Sequence, residues 1–181
     1  PFDLALLTRA AVDDLVDGGK LARSSCCDIA RSGMGVVIRK GALKPEISTM
    51  DAFRAAMLSA RSIAVGEQGQ TGIYMQQVFE QLGLTRDLAD KLKRLPSTNP
   101  AAKAVGQGEA ELGMTQISEI LPYAGAELVG PLPAEIQLTT SFSAGVASNT
   151  KEAQAAQALI AFLKGSSAAA VLKAKGLDPA P

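Results

Sequence analysis

Residues 61–83 read RSIAVGEQGQTGIYMQQVFEQLG, and this stretch decides the fold class. Its start, RSIAVGE, has the short apolar run of a buried strand. A polar, glycine-punctuated loop without lysine or arginine follows. The period then changes: Met75, Val78, Phe79 and Leu82 fall at i, i+3, i+4 and i+7, one apolar helix face. Thr71 is the expected N-cap, and Gly72 in the first turn lets another group approach the backbone closely. The amides of Gly72, Ile73 and Tyr74 are then expected to point out of the helix start, where the dipole favours negative charge. Such an end can hold an anion. Ordinary capping, with water on the remaining amides, accounts for the same residues.

The alternation of strand and helix continues in both directions. Phe2–Thr8 reads as a buried strand, followed by a short helix that Gly18 and Gly19 end. GMGVVIRKG (33–41) is a second strand. ISTMDAFRAAMLSA (47–60) is a helix capped by Ser48 or Thr49, with Ile47, Phe53, Met57 and Leu58 on its apolar side. A helix is expected from about Asn99, with Pro100 at its first position. ELGMTQISE (111–119) is a further strand with a polar end. Two extended segments surround the prolines at 131 and 133, and the tail forms two helices broken at Gly165. This order predicts an α/β fold with largely parallel pairing. A strand that opens at residue three usually has earlier partners, so a preceding N-terminal portion is expected.

Composition narrows the chemistry. The 181 residues carry 18 basic and 18 acidic side chains, so no long-range field draws in nucleic acid or an anionic membrane. An anion has to be held by local dipoles. There is no histidine, which removes Ser-His-Asp and Cys-His catalysis and the commonest transition-metal ligand. Cys26 and Cys27 are neighbours; two thiols alone make no zinc site, and a disulfide between adjacent residues is strained. No metal or cofactor is called for. No run approaches the roughly 20 apolar residues of a membrane span, so no direct membrane insertion is expected. SGMGVVIRKG (32–41) has a Gly-x-Gly but neither the following helix nor the third glycine of a dinucleotide loop. KLKRL (91–95) reads as a solvated basic run.

DLALLTRAAVDDLVDGGKL (3–21), ARSGMGVVIRKGA (30–42), QTGIYMQQVFEQLGL (70–84), GEAELGMTQISE (108–119) and AQALIAFLKGSSAAAVLKAKGL (156–177) occur in the order seen in periplasmic molybdate-binding proteins. The chain resembles that family, the solute-binding components of ABC importers, over nearly its whole length. The resemblance implies a type II periplasmic binding fold: two α/β lobes, joined by crossover strands, that close on a ligand. Residues 34–143 would form the complete second lobe. Residues 1–33 and 144–181 would belong to the first, without the βαβα stretch that precedes FDLALLT in the family.

Carried over by position, the family's contacts fall on Thr71, Gly72 and Ile73 at the helix start, and on Thr115 and Gln116 at a strand end. They also fall on TTSFSAG (139–145), where Ser141, beside Thr140, stands where molybdate binders often place a tyrosine. Thr8 is expected to face the same cleft. The resemblance implies a small anionic ligand, a periplasmic location and a membrane permease as partner, with no nucleic acid. A short hydroxyl at 141 reaches less far than a tyrosine, and Thr115, Gln116, Ser118 and Glu119 make a polar strand end. An organic carboxylate is therefore a candidate ligand beside a tetrahedral oxyanion. The alternative function is a cofactor-free isomerase of an unsaturated tricarboxylate such as aconitate, with Glu119 or Glu67 as acid or base and Tyr74 as a weaker donor. Solvated charge at the lobe edge accounts equally for either glutamate. A regulator domain of related fold would need a helix-turn-helix or a basic face, and the sequence has neither.

Overall fold

A computed structural model describes residues 1–180. The strands are β1 (Leu4–Thr8), β2 (Cys27–Arg39), β3 (Ile63–Gly66), β4 (Leu92–Leu95), β5 (Leu112–Gln116), β6 (Ala126–Pro131), β7 (Thr139–Val146) and β8 (Asp178–Pro179). The α-helices are α1 (Arg9–Asp17), α2 (Met50–Ser59), α3 (Gln70–Gln81), α4 (Thr85–Leu88), α5 (Ala101–Gly106), α6 (Ile117–Ile120), α7 (Ala153–Lys164) and α8 (Ser166–Ala174). The chain forms two compact units, one of residues 1–32 and 139–180 and the other of residues 33–138.

In the first unit β1 pairs antiparallel with β7, Leu4 opposite Val146 and Thr8 opposite Phe142. The start of β2 pairs antiparallel with β8 through Ala30 and Arg31. Ile29, Ala30, Ala144 and Val146 pack on Ala156 and Ile160 of α7. Phe2–Thr8 is less buried than its apolar run suggests: Leu6 and Leu7 are 43% and 40% exposed. Among the described residues β1 pairs with β7 alone and forms an edge of the sheet. α7 and α8 meet at Gly165 with a bend of 64°. No single helix among the described residues is long and apolar enough to cross a membrane.

The second unit is built on β3, which pairs in parallel with β4 on one side and β5 on the other. The end of β2 pairs antiparallel with both β5 and β6. Pairing is thus more mixed than the expectation of largely parallel strands. β2 is long because it continues from one unit into the next, and it meets its neighbours in the opposite sense. Side chains alternate by face, as strand geometry requires. Met34, Val36, Ile38, Ile63 and Val65 face a layer of large side chains, including Phe53, Met57, Met75 and Phe79. Val37 and Ala64 face a thin layer of Ala101, Ala102, Val105 and Ile120. A Cβ added at Gly106 would stand 3.0 Å from the carbonyl carbon of Gly125. Helices on both faces explain why these strands read as continuous apolar runs.

Local signals set the helix starts. Thr49 caps α2, its side chain accepting from the Ala52 amide at 3.2 Å. Leu58, expected on the apolar side of α2, is exposed; the buried face is Phe53, Ala56 and Met57. Pro100 is the N-cap of α5 rather than its first residue. Gln137 reaches back to β2: its Oε1 accepts from the Met34 amide at 2.8 Å, and its Nε2 donates to the Met34 carbonyl at 3.0 Å.

Candidate functional site

The second unit gathers its candidate residues at one end of the sheet. Parallel pairing sets Ile63 beside Leu112 and Ala64 beside Gly113, so β3 and β5 run side by side and end within a residue of each other, at Gly66 and Gln116. α3 begins a few residues beyond Gly66 and packs on β3 and β5. In open α/β sheets ligands bind outside the carboxyl ends of the strands, where helix starts and strand ends converge.

The start of α3 differs from the expectation by two residues. Its N-cap is Gly69, with φ +86°, and no side chain caps it. Glycine takes that left-handed backbone without a Cβ penalty, so the turn closes at 69 rather than at Thr71. Thr71 and Gly72 therefore lie in the first turn, where helix geometry supplies no intrahelical acceptor for their amides. The Ile73 amide, expected to be open, donates to the Gly69 carbonyl at 3.2 Å. Tyr74 is likewise past the open part of the turn, and its hydroxyl donates to the Ile136 carbonyl at 3.1 Å. Gly72 does permit a close approach, and the group that approaches is the carbonyl of Gly66. A Cβ at 72 would lie 2.1 Å from that oxygen. Gly72 is buried, Thr71 half-buried and the Ile73 side chain 57% exposed.

The end of β5 is polar and enclosed. Thr115 is buried, and its hydroxyl donates to the carboxylate of Glu119 in the following helical turn. Gln116 is 7% exposed, and its Oε1 is buried without a hydrogen-bond partner. Across the ladder Gln116 stands opposite Met34, the residue that Gln137 clamps. Asn99, in the loop after β4, holds the other buried unpartnered side-chain atom among the described residues, Oδ1, while its Nδ2 donates to Glu109 at 2.9 Å. The sequence gives no signal for Asn99, because PSTNP reads as an ordinary surface turn. Glu67, the other candidate acid, is exposed in the β3–α3 loop, and its amide donates to the Leu95 carbonyl.

In the first unit Thr8 and Ser141 come to the same end of the β1–β7 ladder, since Thr8 pairs with Phe142. Both are half-buried, and Thr8 is the N-cap of α1 without a side-chain cap bond. Beside them Arg9 binds Asp13 and Asp28, each at 3.1 Å. The buried Ser143 hydroxyl donates to Asp28 at 2.6 Å, and that bond, with Arg9, holds the Asp28 carboxyl below the usual carboxylate range. No group of three or more His, Cys, Asp or Glu residues that could hold a metal occurs among the described residues.

The family model of bacterial extracellular solute-binding proteins matches residues 1–178. An aconitate isomerase from a Pseudomonas species is 34% identical over 182 residues, covering 100% of this chain and 69% of that protein. The molybdate-binding protein ModA of Azotobacter vinelandii is 34% identical over 119 residues, covering 64% of this chain and 46% of that protein. The solved periplasmic molybdate-binding protein of Azotobacter vinelandii superposes with a TM-score of 0.75 at 23% identity, over 98% of this chain and 78% of that one. The resemblance to molybdate-binding proteins and the type II periplasmic binding fold it implies both hold. The chain belongs to the family of bacterial extracellular solute-binding proteins.

Proposed function

We propose that this protein captures a small organic carboxylate in the periplasm, as the solute-binding component of an ABC importer, and hands it to a membrane permease. The single observation that carries the reading is the chemistry at the end of β5. The Thr115 hydroxyl is already donated to Glu119, and Gln116 offers a buried oxygen with no partner. A fully deprotonated tetrahedral oxyanion brings only acceptors and would meet acceptors there. An organic acid can put its carboxylate on the first-turn amides of α3 at Thr71 and Gly72, where neutral donors and the helix dipole favour negative charge. Its carbon skeleton and remaining polar groups then lie toward Thr115 and Gln116. Ile73 serves as an exposed apolar side chain beside that turn and not as an amide donor. Thr8 and Ser141 of the first unit are further candidate contacts, each with its own substitution as test. Titration calorimetry with citrate, aconitate, molybdate, tungstate and sulfate decides the matter. Tight molybdate or tungstate binding with no response to the acids would reject the organic-acid reading.

A second reading has its own support. A relative that spans the whole chain is an aconitate isomerase. Glu119 is an exposed carboxylate oriented by a buried threonine, a geometry suited to moving a proton on a bound acid. Incubation with cis-aconitate, followed in the ultraviolet for the trans isomer, tests this reading. Turnover that Glu119→Gln abolishes supports it, and no turnover ends it.

A further inference from the structure

We infer that Gln116 selects for a hydroxyl group on the captured acid, so that the preferred ligand is a hydroxycarboxylate. The inference rests on the organic-carboxylate reading and deepens it. Oε1 of Gln116 is an acceptor out of reach of bulk water and without a protein partner. Leaving such an atom unmade is costly, and native interiors pair nearly all of them. Gln116 stands at the end of β5, one residue past Thr115, where β3 ends and α3 packs. The groups around it do not satisfy it: the Thr115 hydroxyl is committed to Glu119, and the Met34 backbone is held by Gln137. The missing partner is a hydrogen donor, and a carboxylate has none. A hydroxyl on the same small acid supplies one. A site built to bond a hydroxyl discriminates strongly against the analogue that lacks it, because the buried acceptor is then left unpaired.

The experiment compares acids that differ by that hydroxyl alone, citrate against tricarballylate and malate against succinate, with aconitate as a hydroxyl-free tricarboxylate. Calorimetry on the full chain is run beside the Gln116→Met variant. Citrate binding about tenfold or more tighter than tricarballylate, with that ratio falling toward one in Gln116→Met, supports the inference. Equal binding of the pair, a ratio unchanged in the variant, or aconitate binding as tightly as citrate overturns it while leaving the organic-acid reading standing. If none of the acids binds, the organic-acid reading itself falls and this inference with it. Stability of the ligand-free variant gives an independent readout. Removing an unpartnered acceptor leaves the unfolding midpoint unchanged or raises it. A clear drop, or failure to fold, means that the oxygen has a resident partner such as a fixed water, and overturns the inference.

Discussion

Gly72→Ala is the sharpest test of how α3 is held. A Cβ there would stand 2.1 Å from the Gly66 carbonyl oxygen, 2.8 Å from its carbon and 3.3 Å from its Cα. All of these atoms are backbone, so no side chain can swing aside. Ordinary contact begins near 3.4 Å, and the start of α3 would have to move off the end of β3 by more than 1 Å. Helix propensity works in the opposite direction, since alanine is better than glycine by about 1 kcal/mol in a helix interior. Overpacking typically costs about 1–3 kcal/mol, and a rigid backbone clash belongs at the upper end. The net expectation is a loss of about 2 kcal/mol, or about 4–8 °C in Tm for a chain of this size. Tyrosine emission makes a clean assay. The chain has no tryptophan, and its two tyrosines, Tyr74 and Tyr123, both lie in the second unit. Urea unfolding followed at the tyrosines therefore reports that unit alone, and a lower midpoint at unchanged slope is a stability change. Gly66→Ala is the companion, with its Cβ 3.1 Å from the Gln68 carbonyl oxygen, and should cost less. A Gly72→Ala protein as stable as the parent, or more so, would show that propensity wins and that the helix start is not pressed on the strand.

Replacing Gln137 with methionine removes both side-chain bonds to Met34, although the Met34 amide keeps the Leu138 carbonyl and the Met34 carbonyl keeps the Leu132 amide. The expected loss is about 1–2 kcal/mol, with faster hydrogen exchange at the Met34 amide; unchanged exchange would contradict the clamp. Thr49→Ala should cost about 1 kcal/mol through the lost cap on α2, and Thr49→Ser should recover most of it. Asp28 is held below its ordinary value of 3.8, first by Ser143 and then by Arg9. Its contribution to stability is therefore complete above that value and is lost as pH falls through the folded pKa. Ser143→Ala should raise the Asp28 pKa and move the acid limb of the stability curve to higher pH. A carboxyl-carbon NMR titration that leaves Asp28 where it was would refute the assignment.

What could be read from the sequence was the part governed by period and by caps. Thr49, Phe53 and Met57 were legible because a polar cap and a helical apolar spacing agree. The end of β2 and the whole of β3 were legible as short apolar runs bounded by glycine and charged residues. The first half of β2 was not. CDIARS (27–32) contains Asp28 and Arg31, and charged residues break an apolar run. Asp28 is tolerated there because Ser143, more than a hundred positions away, donates to it. The start of α3 was misplaced for a related reason. Thr71 carries the stronger local capping signal, yet the backbone turns at Gly69, which reaches a positive φ no side chain favours. At the site, Thr115 and Gln116 were legible as a polar strand end. That one hydroxyl is spent on Glu119 while one amide oxygen is left unmatched depends on side-chain packing, which spacing does not encode.

The unequal thickness of the layers on either side of β3 has an evolutionary corollary. Phenylalanine and methionine fill one side, and flexible side chains of that size can shift to absorb a neighbour's change of shape. The other side is furnished with alanines, and there the Gly106 and Gly125 backbones nearly touch. Small groups have no rotamers to trade, so a single added methylene must displace main chain. Variation that retunes the protein for a new solute has slack to draw on from the methionine side, while the alanine side stays frozen as the sheet's anvil.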